Sequence, residues 1–317
     1  MVIVRIILNS CLFALGLLIG PNWACADFNS DAVGTSTANF LKLGVGARAV
    51  AMGEAYSAIA NDATALYWNP AGLVRIEKNA AALMYAPYLD SSFYNYGAYI
   101  RRVGRHACGV GIQFFSSGNI PETDENNASL GTFAPHDLAI SVGYAYRLTE
   151  HPGREGVGVG GTVKLVRSTI INTAQTVALD VGIQSGPYFD HLRLALALTN
   201  MGGRLTFEQD SENLPRRLRY GGSFAITEAW LASLDLVSPR DNQTYAAFGT
   251  EYTWHLRKGL ALSGRLGYNS RTASDIDSVT GLSFGFGIES KIVSFDYALL
   301  PYGGLGLTHG ISLDFKW

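Results

Sequence analysis

The chain has 317 residues, of which 48% are hydrophobic and only 16% charged, and its formal net charge is −2. An ordinary soluble domain carries about 25% charged residues, and a nucleic-acid-binding surface needs a Lys and Arg excess that is missing here. With 36 Gly, 16 Tyr and 15 Phe, but no stretch after residue 26 matching the roughly 20 apolar residues of a membrane helix, the composition points to strands that cross a membrane.

The N-terminus reads as a secretory signal over residues 1–26. Arg5 supplies the positive start, Ile6 to Gly20 is apolar apart from Asn9 and Ser10, and Ala24-Cys25-Ala26 is a small-residue cleavage site. The mature chain is expected to begin near Asp27. Asn22 stands where a lipoprotein signal wants an aliphatic residue. Cys11 and Cys25 fall in the signal, so Cys108 is left alone and no internal disulfide is expected.

Residues 27–78 are rich in Ala and Gly and do not alternate. Ala47 to Ala60 has the composition for one or two helical turns, with Gly53 interrupting. Asn61-Asp62 is a turn signal, and Pro70 forces Asn69 out of the helical region.

From Asn79 to Trp317 the pattern changes to period two. Leu192, Leu194, Leu196 and Leu198 alternate with Arg193, Ala195, Ala197 and Thr199. Leu282, Phe284, Phe286 and Ile288 alternate with Ser283, Gly285, Gly287 and Glu289. Period two sends alternate side chains to opposite faces of a sheet. One face is apolar and the other mixes Gly, Ala, Ser and an occasional charge. A β-sandwich would put many charges on its outer faces, whereas a crowded polar lumen behind a lipid-facing wall suits this pattern.

The predicted strands are near 79–88, 92–101, 107–117, 136–147, 156–168, 174–185, 192–200, 216–226, 229–237, 243–254, 260–268, 279–289, 292–300 and 307–317. The fold class is therefore all-β, a transmembrane antiparallel barrel of about 14 strands, each near the 9–11 residues that cross a bilayer when tilted. Short links (Thr227-Glu228, Ser290-Lys291, His255 to Gly259) alternate with a set that includes the long ones, Gly118 to Pro135, Gly202 to Pro215 and Asn269 to Ser278. Short periplasmic turns and long extracellular loops make this asymmetry. Cys108 shares a register with Val110, Ile112 and Phe114 and reads as a small lipid-facing group.

Catalytic patterns are weak. Gly156-Val-Gly-Val-Gly-Gly161 lacks the Lys-Ser/Thr and the helix of a nucleotide loop. The six His show no metal-ligand spacing, and no Ser sits on a G-x-S-x-G elbow. No enzyme activity, metal or cofactor is expected.

The stretch Gly34 to Ala55, followed by Asn61-Asp-Ala-Thr-Ala-Leu-Tyr-Trp-Asn-Pro-Ala-Gly-Leu73, resembles the N-terminus of the PorV/PorQ family, part of the wider FadL-like group of outer-membrane barrels. Asn69-Pro70-Ala71 is similar to that group's hatch motif, and Gly304 to Trp317 is similar to the family's last strand. The resemblance implies residence in the bacterial outer membrane, a 14-stranded wall over residues 79–317 and an N-terminal hatch, 27–78, folded inside it. It implies two jobs: passing hydrophobic molecules such as fatty acids, as FadL-like proteins do, or holding exported cargo for type IX secretion partners, as PorV-type members do. The expected hatch and ligand-path residues are Gly44, Gly46, Arg48, Gly53, Glu54, Asp62, Trp68, Asn69, Pro70 and Ala71. Arg48 and Asp62 are candidates to pair and Glu54 to gate or contact a ligand, against the simpler reading that all three tie the hatch to inward residues such as Arg193, Arg265 or Asp180. A lateral opening would need a break in the strand ladder. Gly109, Gly111 and the glycines of 156–161 are candidates for it, against the simpler reading that they make room for the hatch.

Overall fold

The computed structural model describes residues 35–88, 91–126, 128–149, 156–207, 210–273, 281–301 and 306–317. The expected signal peptide and residues 27–34 lie outside the described residues.

Fourteen strands close into one antiparallel barrel. In chain order they are β1 (Asn79–Pro87), β2 (Phe93–Val103), β3 (His106–Ser116), β6 (His136–Arg147), β7 (Gly158–Thr169), β8 (Thr173–Gln184), β9 (Leu192–Gly202), β12 (Arg217–Ala225), β13 (Trp230–Pro239), β14 (Tyr245–Arg257), β15 (Leu260–Asn269), β16 (Leu282–Ser290), β17 (Val293–Pro301) and β18 (Leu307–Lys316). Two further hairpins stand apart from the wall, β4 (Ile120–Thr123) with β5 (Ser129–Phe133), and β10 (Arg204–Phe207) with β11 (Asp210–Asn213). Each barrel strand pairs with its neighbour, and the seam joins β1 to β18 from Ala80↔Lys316 to Tyr85↔Ile311. Beyond it, the Asn79 and Trp317 backbones exchange two hydrogen bonds, at 3.0 and 3.2 Å.

The period-two pattern sorts as expected. Leu83, Val110, Ile112, Val142, Leu165, Leu179 and Ile288 are exposed on the outer wall, while Gln113, Ser141, Lys164, Asp180 and Ser283 of these strands and Asp296 of β17 are buried inside. Val142 leaves 59% of its surface uncovered, a cost in water but not against hydrocarbon. Cys108 is exposed on this face. Outward aromatics gather toward both rims, with Tyr99, Tyr144, Trp230, Trp254 and Trp317 toward one and Tyr85, Tyr220, Phe248 and Tyr268 toward the other, as at two membrane interfaces.

The strand ends define a turn end and a loop end. Asn79, Trp317 and the links 226–229, 258–259 and 291–292 lie at the turn end; both small hairpins lie at the loop end. The strand bounds match the expected ones within about three residues, the usual uncertainty. The two hairpins were not foreseen: strands of four or five residues and mixed polarity inside long polar links carry little periodic signal.

Candidate functional site

The residues preceding β1 begin at the loop end, where Ser36 forms a parallel bridge with Asn213 of β11. From Ala38 to Ile76 almost every side chain is buried. The elements are short: a 3₁₀ turn at Asn39–Lys42, a helix at Ala47–Ala51, a turn of helix at Ala65–Trp68 and a 3₁₀ segment at Pro70–Arg75. The first helix stops where expected. Gly53 and Glu54 follow in left-handed conformation, with φ of 65° and 69°. A Cβ on Gly53 would meet the Phe248 carbonyl and the Tyr268 nitrogen at 2.6 Å, so both the dihedral and the close approach require glycine.

These segments bond to inward groups of strands all around the barrel. The amide of Ala47 donates to Ser312 at 2.8 Å, Gly53 to Ser283 at 3.1 Å and Ser57 to Asp235 at 3.1 Å. Tyr96 donates to the Ala63 carbonyl at 3.2 Å, and Arg75 to the Gly156 carbonyl at 2.7 Å. Gln184 donates to the Ala58 carbonyl at 2.9 Å. An irregular segment leaves many backbone groups without partners, and these wall side chains supply them.

Asn69-Pro70-Ala71 occupies one inner groove. The Asn69 side chain accepts from the Ala71 amide at 3.1 Å, capping the 3₁₀ segment, and donates to the Ser57 and Ile183 carbonyls, both at 3.1 Å. The wall behind it is glycine: a Cβ on Gly160 would strike Pro70, one on Gly158 Ala71, and one on Gly182 the Asn69 side chain. Gly111 and Gly143 likewise face Leu66. The inward glycines therefore make room for the N-terminal segment. Strand β3 pairs without interruption with β2 and β6, and β7 with β6 and β8, so no ladder break lies at the glycines considered for a lateral opening.

One register shift falls between β8 and β9, and another between His255 and Arg257 where β14 meets β15. In the first, Asp180 faces a bulge at Thr199 and Asn200, and Asn200 takes φ of 59°. A bulge strands a backbone amide. Here the Asp180 carboxylate accepts it at 2.7 Å and also binds Lys164 at 2.6 Å.

Charges fasten the segment. Arg48 does not pair with Asp62; it forks onto Glu251 of β14 at 2.8 and 2.7 Å and donates to Tyr56 and Asn61 at 3.2 Å each. Arg265 completes this group, reaching Glu251 and Asp296 at 2.5 Å each. Asp62 instead accepts from the Tyr56 hydroxyl at 2.5 Å and from Thr64. Burial, reinforced by Asp62, pushes the Tyr56 hydroxyl well above its ordinary pKa, so it remains a donor. Glu54 lies between Arg219 at 3.7 Å and Arg271 at 3.4 Å. Arg219 lies over the Trp68 ring at 4.8 Å, and the Trp68 indole donates to the Val45 carbonyl at 2.8 Å. Gly46 takes φ of 82° just ahead of the first helix, while Gly44 is closed in by Val50 and Glu54.

At the loop end Ser36 and Lys42 both bond to Asp241. Burial would raise the Asp241 pKa, but hydrogen bonds from Lys42 and Ser36 outweigh it and hold the carboxyl below the ordinary value. Sequence reasoning did not single out Glu251, Arg219, Asp235, Arg271 or Asp241. Glu251 and Asp235 are charges at inward positions of largely apolar stretches, and Arg219 shares the inner face of β12 with a second buried Arg, Arg217, a signal that was present.

One cavity of about 780 Å³ opens at the turn end beside Lys78, Arg257, Lys291 and Trp317. One of about 150 Å³ lies deeper, beside Asp62, Asp296 and Asp314. Polar and apolar groups line the cavity at the turn end about equally, the deeper one is mainly polar, and a small one beside Val50, Leu282, Leu300 and Pro301 is more apolar. Among the described residues no group of three or more His, Cys, Asp or Glu side chains is spaced to hold a metal.

A closed 14-stranded wall with an apolar outer face and a polar inner one defines an outer-membrane β-barrel protein. The family model described as "Type IX secretion system protein PorV" matches residues 26–230, and the chain belongs to that family. Among solved structures it is similar to the toluene transporter TodX of Pseudomonas putida, with 13% identity and a TM-score of 0.59 over 86% of this chain and 99% of that one. It is also similar to the monoaromatic hydrocarbon channel CymD (12%, TM-score 0.59, 86% and 98%) and to a Pseudomonas aeruginosa FadL homologue (10%, TM-score 0.53, 83% and 96%). At such identities the likeness is one of fold. No curated protein matches the chain.

Proposed function

We propose that this protein binds or passes hydrophobic small molecules across the outer membrane in the FadL manner, with residues 27–78 as its hatch and the loop end facing outward. One observation carries the reading. The buried segment is held by side-chain contacts and an isolated bridge, without joining the wall as a strand. A segment so held can shift without opening the barrel, and its own core of Phe40, Leu41, Val50, Met52 and Leu66 would then offer apolar surface inside a polar wall. Gly44, Gly46, Arg48, Gly53, Glu54, Asp62, Trp68, Asn69, Pro70 and Ala71 would be its moving or anchoring parts, and no catalytic step is involved. The test is uptake of a labelled alkane or fatty acid by cells carrying the wild type or a variant with the segment pinned by a disulfide. Uptake that is abolished by pinning and restored by reduction supports the reading; uptake no greater than in cells lacking the protein refutes it.

A second reading has its own support. The ladder is unbroken at the glycines of β3 and β7 weighed for an opening, polar groups line much of the cavities, and two hairpins stand at the loop end. A sealed wall with a platform of loops suits a protein that holds exported cargo, and the family match fits it. Pull-down from solubilised outer membranes separates the two. Co-purified secretion partners favour this second reading; bound lipid alone favours the first.

A further inference from the structure

Asp314, on the inner face of β18, finds no hydrogen-bond or ion-pair partner among the described residues, though only 9% of its surface is exposed and its Oδ1 is sealed from solvent. A buried carboxylate in that condition is costly and calls for a counter-charge. It faces the cavity of about 150 Å³ near the turn end, which Asp62 of the N-terminal segment also faces. The two are near enough to repel each other.

The cations around this cavity are already engaged. Arg48 binds Glu251, Arg265 binds Glu251 and Asp296, and Lys316 binds Glu289. Asp62 receives only neutral donors, from Tyr56 and Thr64. One carboxylate on the wall and one on the segment thus have no cation within ion-pair distance among the described residues, across a polar space large enough for a hydrated ion.

We propose that Asp62 and Asp314 bind a small hydrated divalent cation, of the Mg²⁺ or Ca²⁺ class, that bridges the N-terminal segment to the barrel wall. Two carboxylates with retained water are a usual arrangement for Mg²⁺, and the larger turn-end cavity shares Asn61, Glu289 and Lys316 with this one, giving an aqueous route in. The ion neutralises the repulsion and joins two parts of the chain that no strand pairing connects.

The test uses the full chain in detergent at neutral pH, stripped with EDTA and titrated calorimetrically with MgCl₂ and, separately, CaCl₂. One site per chain is expected, with affinity falling at least tenfold in Asp314→Asn and in Asp62→Asn and unchanged in Glu122→Gln on the distant β4–β5 hairpin. Added cation should also raise the wild-type Tm at constant ionic strength and protect residues 56–68 from hydrogen exchange. If Asp314→Asn does not fold, these wild-type readouts decide. Absence of cation binding, binding equal in wild type and Asp314→Asn, or a Tm that follows pH but ignores cation would overturn the proposal. The last result would mean that a proton, not a metal ion, occupies the pair.

Discussion

Replacing Arg48 with Met isolates the fastening at Glu251. Methionine keeps the apolar stem near the Tyr56 ring, which the Arg48 guanidinium covers at 5.7 Å, but removes the fork onto Glu251 at 2.8 and 2.7 Å. Removing one partner of a buried pair costs roughly 3–5 kcal/mol. Two features lower that figure here. Arg265 still neutralises Glu251, and the Arg48 side chain is 22% exposed, so water screens part of the interaction. An effect of about 2–3 kcal/mol remains, which is roughly 30- to 150-fold in an equilibrium constant at about 1.4 kcal/mol per decade. The cost should fall on local opening of the segment, because the strand ladder does not pass through Arg48. Hydrogen exchange in detergent should then quicken by that factor over residues 47–62 while β1–β3 amides keep wild-type rates. Unchanged exchange over 47–62 would refute the idea that this ion pair holds the segment. Equal acceleration in segment and wall would show that the two open as one unit.

Gly53→Ala combines a left-handed dihedral with backbone contact and should lower stability by more than about 1 kcal/mol, read as a lower denaturant midpoint. Gly160→Val should cost about 1–3 kcal/mol by overpacking against Pro70, and a matching loss of intrinsic Trp signal would report movement of Trp68. Lys164→Met leaves Asp180 buried without its cation and should cost roughly 3–5 kcal/mol, measured by urea unfolding; a loss below 1 kcal/mol would mean that the bulge needs only the Asn200 amide. The loop-end fastening should depend on pH. Asp241 has a native pKa below its unfolded value, so its contribution is complete above the ordinary carboxylate range and fades as pH falls below about 4 toward the native pKa. Protection of residues 36–42 from exchange should decline over that range in the wild type and be low throughout in Asp241→Asn.

The wall was legible in the sequence because its physics is local. Leu192 to Thr199 declares two faces by alternation alone, and hydrocarbon outside the wall forces that alternation to be nearly uniform. The interior was not legible in the same way. Residues 35–78 have no period, and their conformation is fixed by partners roughly 100 to 265 residues away, such as Ile183 for Asn69 and Ser312 for Ala47. A motif could mark Asn69-Pro70-Ala71 as special, and the glycines of 156–161 could be read as room for a hatch, but nothing local matched the two or added Gly182 to the seat. Arg48 was recognised as a buried charge needing a partner. Asp62 was the nearer candidate in sequence, yet it already had Tyr56 and Thr64 as donors, and the fork geometry of a guanidinium favoured an open carboxylate on the wall.

The path of the chain before β1 constrains how the molecule is built. It starts beside Asn213 at one rim, runs through the lumen and emerges at the other rim, where Asn79 opens the wall. The final seam joins that same first strand to the last. Circularisation of the sheet and loading of its contents are therefore one problem: a ring that shut early would have to be threaded afterwards. The economical order places residues 35–78 in the nascent sheet before its edges meet, so that the last strand completes a vessel already filled.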